Sequence, residues 1–182
     1  FVDENKTLRI EKEVGYSVEK VFPQFSNLQN FARWSAVIPD SKSTFLEFYH
    51  PYEGLGSSMS YKDNSESGDL SIYYENPQKT LKYNLFQDEN TNPTKLEIRF
   101  VPMSADKTKI IWIFITPKKS LLRRITNLWT ETEYNENVDK SITKLISVLS
   151  NKIDKDLLLT NIKYDSLMVE NTEEQLLLGV NV

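Results

Sequence analysis

The sequence predicts an α+β domain built from seven antiparallel strands, two short helices and one long C-terminal helix. Three features support this fold class. Residues 43–116 contain short apolar runs separated by turns rich in Gly, Pro, Asn and Asp. Residues 119–153 lack Gly and Pro over 35 positions and carry apolar side chains at steps of three and four. Ahead of both, residues 7–34 contain one alternating stretch followed by two short helical patterns.

The composition is that of a globular protein rich in aromatic residues. Of the 182 residues, 39% are hydrophobic, 26% charged and 12% aromatic. This balance favours one domain with a sizeable core, and the aromatic content favours a core that is wide or hollow. The net charge of −4 argues against a nucleic-acid partner, which would need a basic face. The chain has no cysteine, which excludes disulfides, thiol catalysis and thiolate metal sites.

The first elements follow from local patterns. Residues 7–15 alternate apolar and polar positions, which indicates a strand with one buried face. Ser17 then opens a short helix, since its hydroxyl can accept a hydrogen bond from the first free amides. Pro23 falls inside the apolar stripe, so this helix must kink or be short. Residues 28–34 form a second short helix with large apolar side chains on one side.

Six further strands and a long helix complete the predicted domain. The strands fall between residues 43 and 116, and their connections are short enough to make consecutive strands antiparallel neighbours. The amphipathic helix is predicted within residues 118–153.

Four short motifs resemble those of one protein family. The motifs are SVEKVF, NLQNFARWS, GLGSSMSYKD and TKIIWIF, which begin at residues 17, 27, 54 and 108. With them the chain resembles the SRPBCC superfamily, the START and polyketide-cyclase-like helix-grip proteins. The resemblance covers about residues 6–153. It implies a helix-grip fold, in which a curved seven-stranded antiparallel sheet wraps around the long helix and two short helices close one end. It also implies a cavity for a lipid, a sterol-like molecule or an aromatic polyketide.

The resemblance and the strand alternation together predict which side chains face this cavity. The family's inward positions match Ile110, Trp112 and Phe114, and the alternation extends them to the neighbouring strands, including Leu70 and Leu96. We expect a pocket of about 300 to 1,000 Å³ between sheet and helix. The predicted lining residues are Trp34, Met59, Tyr61, Ile72, Tyr74, Tyr83, Leu85, Ile98, Phe100, Ile110, Trp112, Phe114, Ile125, Trp129 and Val138.

Two questions stay open at this point. Phe31 and Trp34 either cover the cavity, with the following loop at its rim, or are ordinary core residues. Spacing alone does not distinguish side chains that line a cavity from side chains that interdigitate. Three functions therefore remain: non-catalytic binding of a hydrophobic or amphipathic small molecule, a cyclase or dehydratase acting on a polyketide-like substrate, and a regulatory module with a filled core.

No catalytic residue, metal or cofactor is predicted. His50 is the only histidine and lies at a strand end beside Pro51, where an exposed or rim position is the better interpretation. Neither a zinc-protease motif nor a phosphate-binding glycine loop is present. The basic segment 118–124 is either a solvated turn or a rim that attracts an acidic headgroup or a membrane surface.

The strand over residues 107–116 is apolar on both faces. Its outward positions are Ile111, Ile113 and Ile115, where an antiparallel sheet with one wet face would carry polar side chains. Either this stripe is a tolerated surface, or it is covered by residues 157–182, by a second copy of the chain or by a following domain.

The domain prediction divides the chain at residue 155. Residues 1–155 form the ligand-binding domain, and residues 156–182 form a C-terminal extension. Within it, residues 161–182 resemble the opening hairpin of a gyrase-inhibitor-like effector-binding domain. Because residue 1 is Phe, we expect a segment such as a signal peptide or an anchor helix to precede it. The localisation is then either cytoplasmic or tethered by that segment.

Overall fold

The computed structural model of the chain describes residues 6–88, 91–117 and 130–151. Within these ranges the α+β prediction is confirmed, and the element order is that of a helix-grip fold. The elements are β1 (Lys6–Val14), α1 (Val18–Ser26), α2 (Leu28–Trp34), β2 (Phe45–Tyr49), β3 (Ser58–Lys62), β4 (Ser67–Asn76), β5 (Thr80–Gln87), β6 (Thr94–Ser104), β7 (Lys107–Thr116) and α3 (131–151).

The seven strands form one curved antiparallel sheet in the order β1-β7-β6-β5-β4-β3-β2. Strands β2 to β7 are a meander in which each strand pairs with the next along the chain. Strand β1 instead pairs with β7, with Lys6 opposite Thr116 and Val14 opposite Thr108. Strand β1 is therefore fixed against β7, which is far from it in sequence.

The two short helices begin differently from what the sequence suggests. Ser17 precedes α1, but its side chain makes no capping hydrogen bond, while its carbonyl accepts hydrogen bonds from the amides of Lys20 and Val21. Asn27 caps α2, since its Oδ1 accepts hydrogen bonds from the amides of Gln29 at 2.9 Å and Asn30 at 3.1 Å. Helix α1 contains Pro23 and is nine residues long, which confirms that it is short.

The chain divides into two compact units, Phe1–Ile146 and Ser147–Val182. The described residues of α3 belong partly to the first unit and partly to the second. In the first unit, Val138 and Leu145 are buried. Lys12 of β1 forms an ion pair with Asp139 at 2.6 Å. Of the second unit, the structure describes residues 147–151, which are helical. The predicted extension, residues 156–182, lies outside the described residues.

The apolar outer face of β7 is not bare to solvent. Ile111 and Ile113 are buried, and Ile115 is half-buried. The cross-strand neighbours of Ile113 are Arg9 of β1 and Glu97 of β6. Each of them belongs to an ion pair on its own strand, with N–O distances of 2.7 Å and 2.5 Å. A tolerated exposed surface is therefore the wrong interpretation of Ile111 and Ile113, and coverage by residues 157–182, by a second copy or by a following domain stays a prediction.

Candidate ligand-binding site

The inner face of the sheet is apolar along continuous cross-strand rows. One row runs from Ile72 of β4 through Tyr83 of β5 and Leu96 of β6 to Phe114 of β7. All four side chains are buried. Because alternate residues of a strand share a face, the rows before and after this one also point inward. The predicted alternation of β5, β6 and β7 therefore holds.

One half of the interior is filled by aromatic rings from the short helices. The Phe25 ring contacts Trp34 at a centroid distance of 4.6 Å and Trp112 at 6.0 Å. Phe31 stacks on Tyr83 at 5.5 Å. Trp34 Nε1 donates to the Gln24 carbonyl at 3.2 Å, so the polar atom of the indole is also satisfied. Of the two interpretations of Phe31 and Trp34, this geometry supports ordinary core.

Tyr83 ties this aromatic half to α1 through a buried hydrogen bond. Its hydroxyl donates to the Phe25 carbonyl at 2.8 Å, and the Tyr83 side chain is fully buried. Burial raises the pKa of Tyr83 well above its ordinary value. The hydroxyl is therefore a neutral, structural donor.

Replacing Tyr83 with Phe is expected to lower the free energy of unfolding by about 1–3 kcal/mol, because it leaves the Phe25 carbonyl buried without its donor. Urea denaturation followed by far-UV circular dichroism measures this change. The matched control is Tyr73→Phe on the exposed outer face, for which no measurable change is expected. Equal stabilities of the two variants would contradict the structural role.

A small pocket lies at the other half of the interior, between the sheet and α3. Its volume is about 10 Å³, about the room that one water molecule needs. This is far below the predicted range of about 300 to 1,000 Å³. The lining residues are Val37, Leu70, Leu85, Gln87, Thr94, Leu96, Phe114 and Tyr134.

The predicted lining residues are divided between this pocket and the core. Leu85 and Phe114 line the pocket, as do Leu70 and Leu96 from the same alternation. Ile125 and Trp129 lie outside the described residues. The other buried members of the prediction do not line this pocket: Trp34, Met59, Tyr61, Ile72, Tyr83, Ile98, Phe100, Ile110, Trp112 and Val138.

Tyr74 corrects the prediction, because it faces outward. A register shift in the β4–β5 pairing places Ile72 opposite Tyr83 but Tyr74 opposite Lys82. The extra residue of this bulge, Tyr73, reverses the alternation of everything that follows it in β4. Tyr74 is accordingly 42% exposed, and the Lys82 ammonium lies 5.0 Å from the centroid of its ring.

Four lining residues were not predicted. Gln87 lies two residues after Leu85, and Thr94 lies two residues before Leu96, so the alternation extended by one step would have found both. Tyr134 lies four residues before Val138 in α3, which is the helical repeat. These three carry the polar atoms of the pocket. The fourth is Val37.

The loop after α2 places Val37 at the pocket. The Ala36 amide donates to Ser141 Oγ of α3 at 2.8 Å. Further along the loop, Asp40 accepts a hydrogen bond from Lys144, which lowers the pKa of Asp40. These contacts hold the loop against α3.

Tyr134 is the only ionisable side chain among the described residues that line the pocket. Its ring lies on Phe114 with a centroid distance of 4.6 Å. Burial raises the pKa of Tyr134 to about 12, so the phenol stays neutral at physiological pH. Tyr134 can therefore donate or accept a hydrogen bond there, but it is a poor proton acceptor.

Tyr61 carries a buried polar atom beside the pocket. The side chain is 2% exposed, and its hydroxyl has no hydrogen-bond partner in the structure. Its ring lies across Gly68, where an added Cβ would be 2.5 Å from both Cζ and Oη. Burial and then the Glu66 charge raise the pKa of Tyr61, whereas the nearby Gln87 side chain lowers it. A buried hydroxyl without a partner is rare in a folded protein.

Acidic side chains gather near Tyr61 at the ends of β3, β4 and β5. Desolvation raises the pKa of Glu66, and the charges of Asp63 and Asp88 raise it further. Asp63 itself accepts the amides of Ser65 and Glu66, which lowers its own pKa. The polar end of the site is therefore electronegative.

Candidate metal ligands and the histidine can be placed relative to the pocket within the described residues. Within residues 6–88, 91–117 and 130–151, no cluster of His, Cys, Asp and Glu side chains could hold a metal ion. His50 packs edge-on against Tyr52 at a centroid distance of 5.5 Å and does not line the pocket. Among the helices described, none is both long and apolar enough to cross a membrane.

The sheet, the two short helices and α3 together define a helix-grip protein with a small, mostly apolar interior pocket. No family model matches the chain, and no curated protein resembles it in sequence. The resemblance to the SRPBCC superfamily therefore rests on the motifs and on the fold, and the resemblance of residues 161–182 to an effector-binding domain falls on residues outside the described ranges.

Solved structures share this fold. A protein from Staphylococcus epidermidis has a TM-score of 0.58 and 12% identity, over 84% of this chain and 95% of its own. A protein from Arthrobacter aurescens has a TM-score of 0.58 and 14% identity, over 83% and 93%. DynU16, a protein of the dynemicin biosynthetic locus, has a TM-score of 0.53 and 12% identity. The match covers 79% of this chain and 47% of DynU16, so this chain corresponds to about half of that protein.

Proposed function

We propose that the protein binds a hydrophobic or amphipathic small molecule between the sheet and α3, without catalysing a reaction on it. The lining of the pocket carries this proposal. Five of its eight side chains are aliphatic or Phe, and the polar atoms come from Gln87, Thr94 and Tyr134 alone. Apolar walls with a few convergent polar groups are typical of small-molecule sites. The lipid, sterol-like and polyketide-like molecules of the sequence prediction all have this character.

The structural relatives give this proposal limited support. DynU16 is a protein in the dynemicin biosynthetic locus. At 12% identity, that likeness concerns the fold. A polyketide-like ligand is therefore one member of the proposed class, beside lipids and sterol-like molecules.

A ligand of this class requires the pocket to widen, and Tyr134 is the side chain best placed to allow it. Tyr134 is half-buried and comes from α3, whereas the other lining residues come from the sheet or from the loop after α2. Its ring covers Phe114 of the sheet. A rotation of this side chain would open the pocket without disturbing the aromatic half of the core.

The two alternatives make different predictions. A cyclase or dehydratase needs an acid or base at the substrate. Burial raises the pKa of Tyr134 to about 12, so at neutral pH its phenol stays protonated and is neither an available base nor a strong acid. A regulatory module with a filled core is favoured by the aromatic half of the interior, where the rings of Phe25, Phe31 and Trp34 interlock. Ligand uptake separates binding from the filled-core alternative.

Replacing Tyr134 with Ala is expected to increase ligand uptake at least severalfold, because it removes the ring that covers Phe114 and enlarges the pocket. The probes are a panel of fatty acids, fatty alcohols and fused-ring aromatics, with binding measured by native mass spectrometry and calorimetry. The matched control is Tyr74→Ala on the outer face, which is expected to bind as the unmodified protein does.

Uptake that is absent from the unmodified protein and from Tyr134→Ala would refute the binding function and favour the filled-core alternative. Equal gains in Tyr134→Ala and Tyr74→Ala would place the binding elsewhere than in this pocket. Conversion of a bound probe to a product of different mass would favour the enzyme.

A further inference from the structure

We propose that the pocket selects molecules whose polar end is a neutral hydrogen-bonding group, such as an amide, ester or alcohol, and rejects carboxylates. In this proposal Tyr61 and Gln87 receive the polar end. The inference rests on the proposed function, because it names the ligand chemistry of that same site. It is carried by the direction of the Tyr61 side chain, by its unpartnered hydroxyl and by the charges around it.

The Tyr61 ring points along the sheet towards the pocket. Tyr61 lies on β3 and pairs with Gly68 of β4, which in turn pairs with Gln87 of β5. The Cζ and Oη atoms both lie over Gly68, so the ring extends from β3 across β4 in the direction of β5. Gln87 is a wall of the pocket. The hydroxyl is therefore aimed at the side of the pocket that carries the amide.

The absence of a side chain at residue 68 is what allows this arrangement. Any residue with a Cβ there would meet Tyr61 Cζ and Oη at 2.5 Å and the Phe86 carbonyl at 2.7 Å. The glycine therefore seats the hydroxyl in a buried position beside the Gln87 side chain, without a formed hydrogen bond. Leaving such a group unpaired costs stability, so a partner supplied by a ligand would recover a contact that folding leaves unmade.

Neighbouring polar side chains complete a neutral receptor. Gln87 and Thr94 line the pocket from β5 and β6, and an amide and a hydroxyl can each donate or accept. A carbonyl oxygen could accept from Tyr61 and from Gln87. A ligand hydroxyl could donate to either of them. Both types of polar end therefore match the donor and acceptor groups of Tyr61, Gln87 and Thr94.

The charges at this end oppose an anion. Glu66, Asp69 and Asp88 all act on Tyr61 in the same direction, as negative charges near its hydroxyl. None of the described lining residues is a cation. A carboxylate here would lose its hydration and meet like charges, whereas a neutral group would not. One interpretation of the basic segment 118–124 is a rim that attracts an acidic headgroup, which is the opposite preference. The experiment must therefore distinguish a preference for neutral polar ends from a preference for acidic ones.

The experiment compares ligands that differ only at the polar end. Dodecanoic acid, its methyl ester, its primary amide and the corresponding alcohol are titrated into the full chain at neutral pH, with calorimetry as the readout. We expect the dissociation constants of the amide and the alcohol to be lower than that of the acid by about tenfold or more. An acid that binds as tightly as the amide overturns the proposal and leaves the proposed function intact. Failure of all four ligands to bind removes both.

Substitutions assign the preference to residues. Tyr61→Phe keeps the ring over Gly68 and is expected to weaken binding of the amide about threefold to tenfold. Tyr73→Phe, on the outer face, is the matched control and is expected to change nothing. Glu66→Gln is expected to reduce the difference in affinity between the acid and the amide, because it removes one negative charge near Tyr61. Unchanged amide affinity in Tyr61→Phe overturns the proposal.

The melting temperature of Tyr61→Phe shows whether the hydroxyl stabilises the fold or contacts the ligand. Because the Tyr61 hydroxyl has no partner, its removal is expected to leave the melting temperature unchanged or higher. Weaker binding together with unchanged stability assigns the hydroxyl to the ligand. A lower melting temperature would show that the hydroxyl serves the fold, which overturns the proposal.

Discussion

Replacing Trp34 with alanine is expected to lower the free energy of unfolding by about 3–5 kcal/mol. Trp34 is 1% exposed, its ring meets Phe25 and Phe31 at centroid distances of 4.6 Å and 5.0 Å, and its indole nitrogen is hydrogen-bonded. The substitution removes these contacts and leaves a cavity beside the rings of Phe25 and Phe31. Urea denaturation followed by far-UV circular dichroism measures the change without relying on tryptophan fluorescence.

The control for this variant is Phe45→Ala. Phe45 is also aromatic, but it is 68% exposed in the edge strand β2, so its loss is expected to change stability by no more than about 0.5 kcal/mol. A cost below about 1 kcal/mol for Trp34→Ala would contradict a packed core at this end. It would revive the interpretation in which Trp34 covers a hollow interior.

Replacing Gly68 with alanine is expected to destabilise the protein by about 2–3 kcal/mol, as overpacking of a filled site does. The new Cβ would lie 2.5 Å from the Tyr61 ring and 2.7 Å from the backbone carbonyl of Phe86. Tyr61 is buried and cannot swing into solvent, and the carbonyl belongs to the neighbouring strand. Thermal and urea unfolding both report the loss.

Gly15→Ala is the matched glycine control. No atom lies within 4 Å of the position that its Cβ would occupy, so the substitution is expected to be neutral or slightly stabilising. Adding Tyr61→Leu to Gly68→Ala is expected to restore part of the lost stability, because it removes the ring but not the contact with Phe86. Equal stabilities of Gly15→Ala and Gly68→Ala would show that Tyr61 does not lie where we place it.

Much of the fold follows from sequence because its patterns are local. Alternation along β5, β6 and β7 placed residues such as Tyr83, Ile98 and Trp112 on the inner face, and all three are buried. The turns between strands carried Gly, Pro, Asn and Asp at the expected positions. Strand alternation and turn chemistry depend on neighbouring residues, so a single sequence contains them.

Tyr74 shows where a local pattern fails. Its segment reads Ile72-Tyr73-Tyr74 and contains no glycine that would signal a bulge. The bulge exists only in the pairing of β4 with β5, where one extra residue enters one strand. A register shift is a property of two strands, and the alternation of one strand does not reveal it.

The volume of the pocket could not be predicted from the sequence for a different reason. Inward positions are the same whether their side chains enclose a space or fill it. Volume depends on how rings such as Phe25 and Phe31 interlock across elements, and this is a three-dimensional property. The polar residues Gln87 and Tyr134 were missed for the simpler reason that the prediction favoured apolar side chains.

The pairing of β1 with β7 determines the order in which the sheet can be completed. The contact between Lys6 and Thr116 closes a loop of 110 residues, whereas β2 to β7 pair with their neighbours in the chain. Pairings of such long range are slow to form, because loop closure costs entropy before any contact is gained. During synthesis on the ribosome, β1 is therefore made before the other strands of this sheet but pairs last. The β1 residues Ile10 and Val14 therefore have no partner strand in the nascent chain until the residues of β7 have emerged from the ribosome.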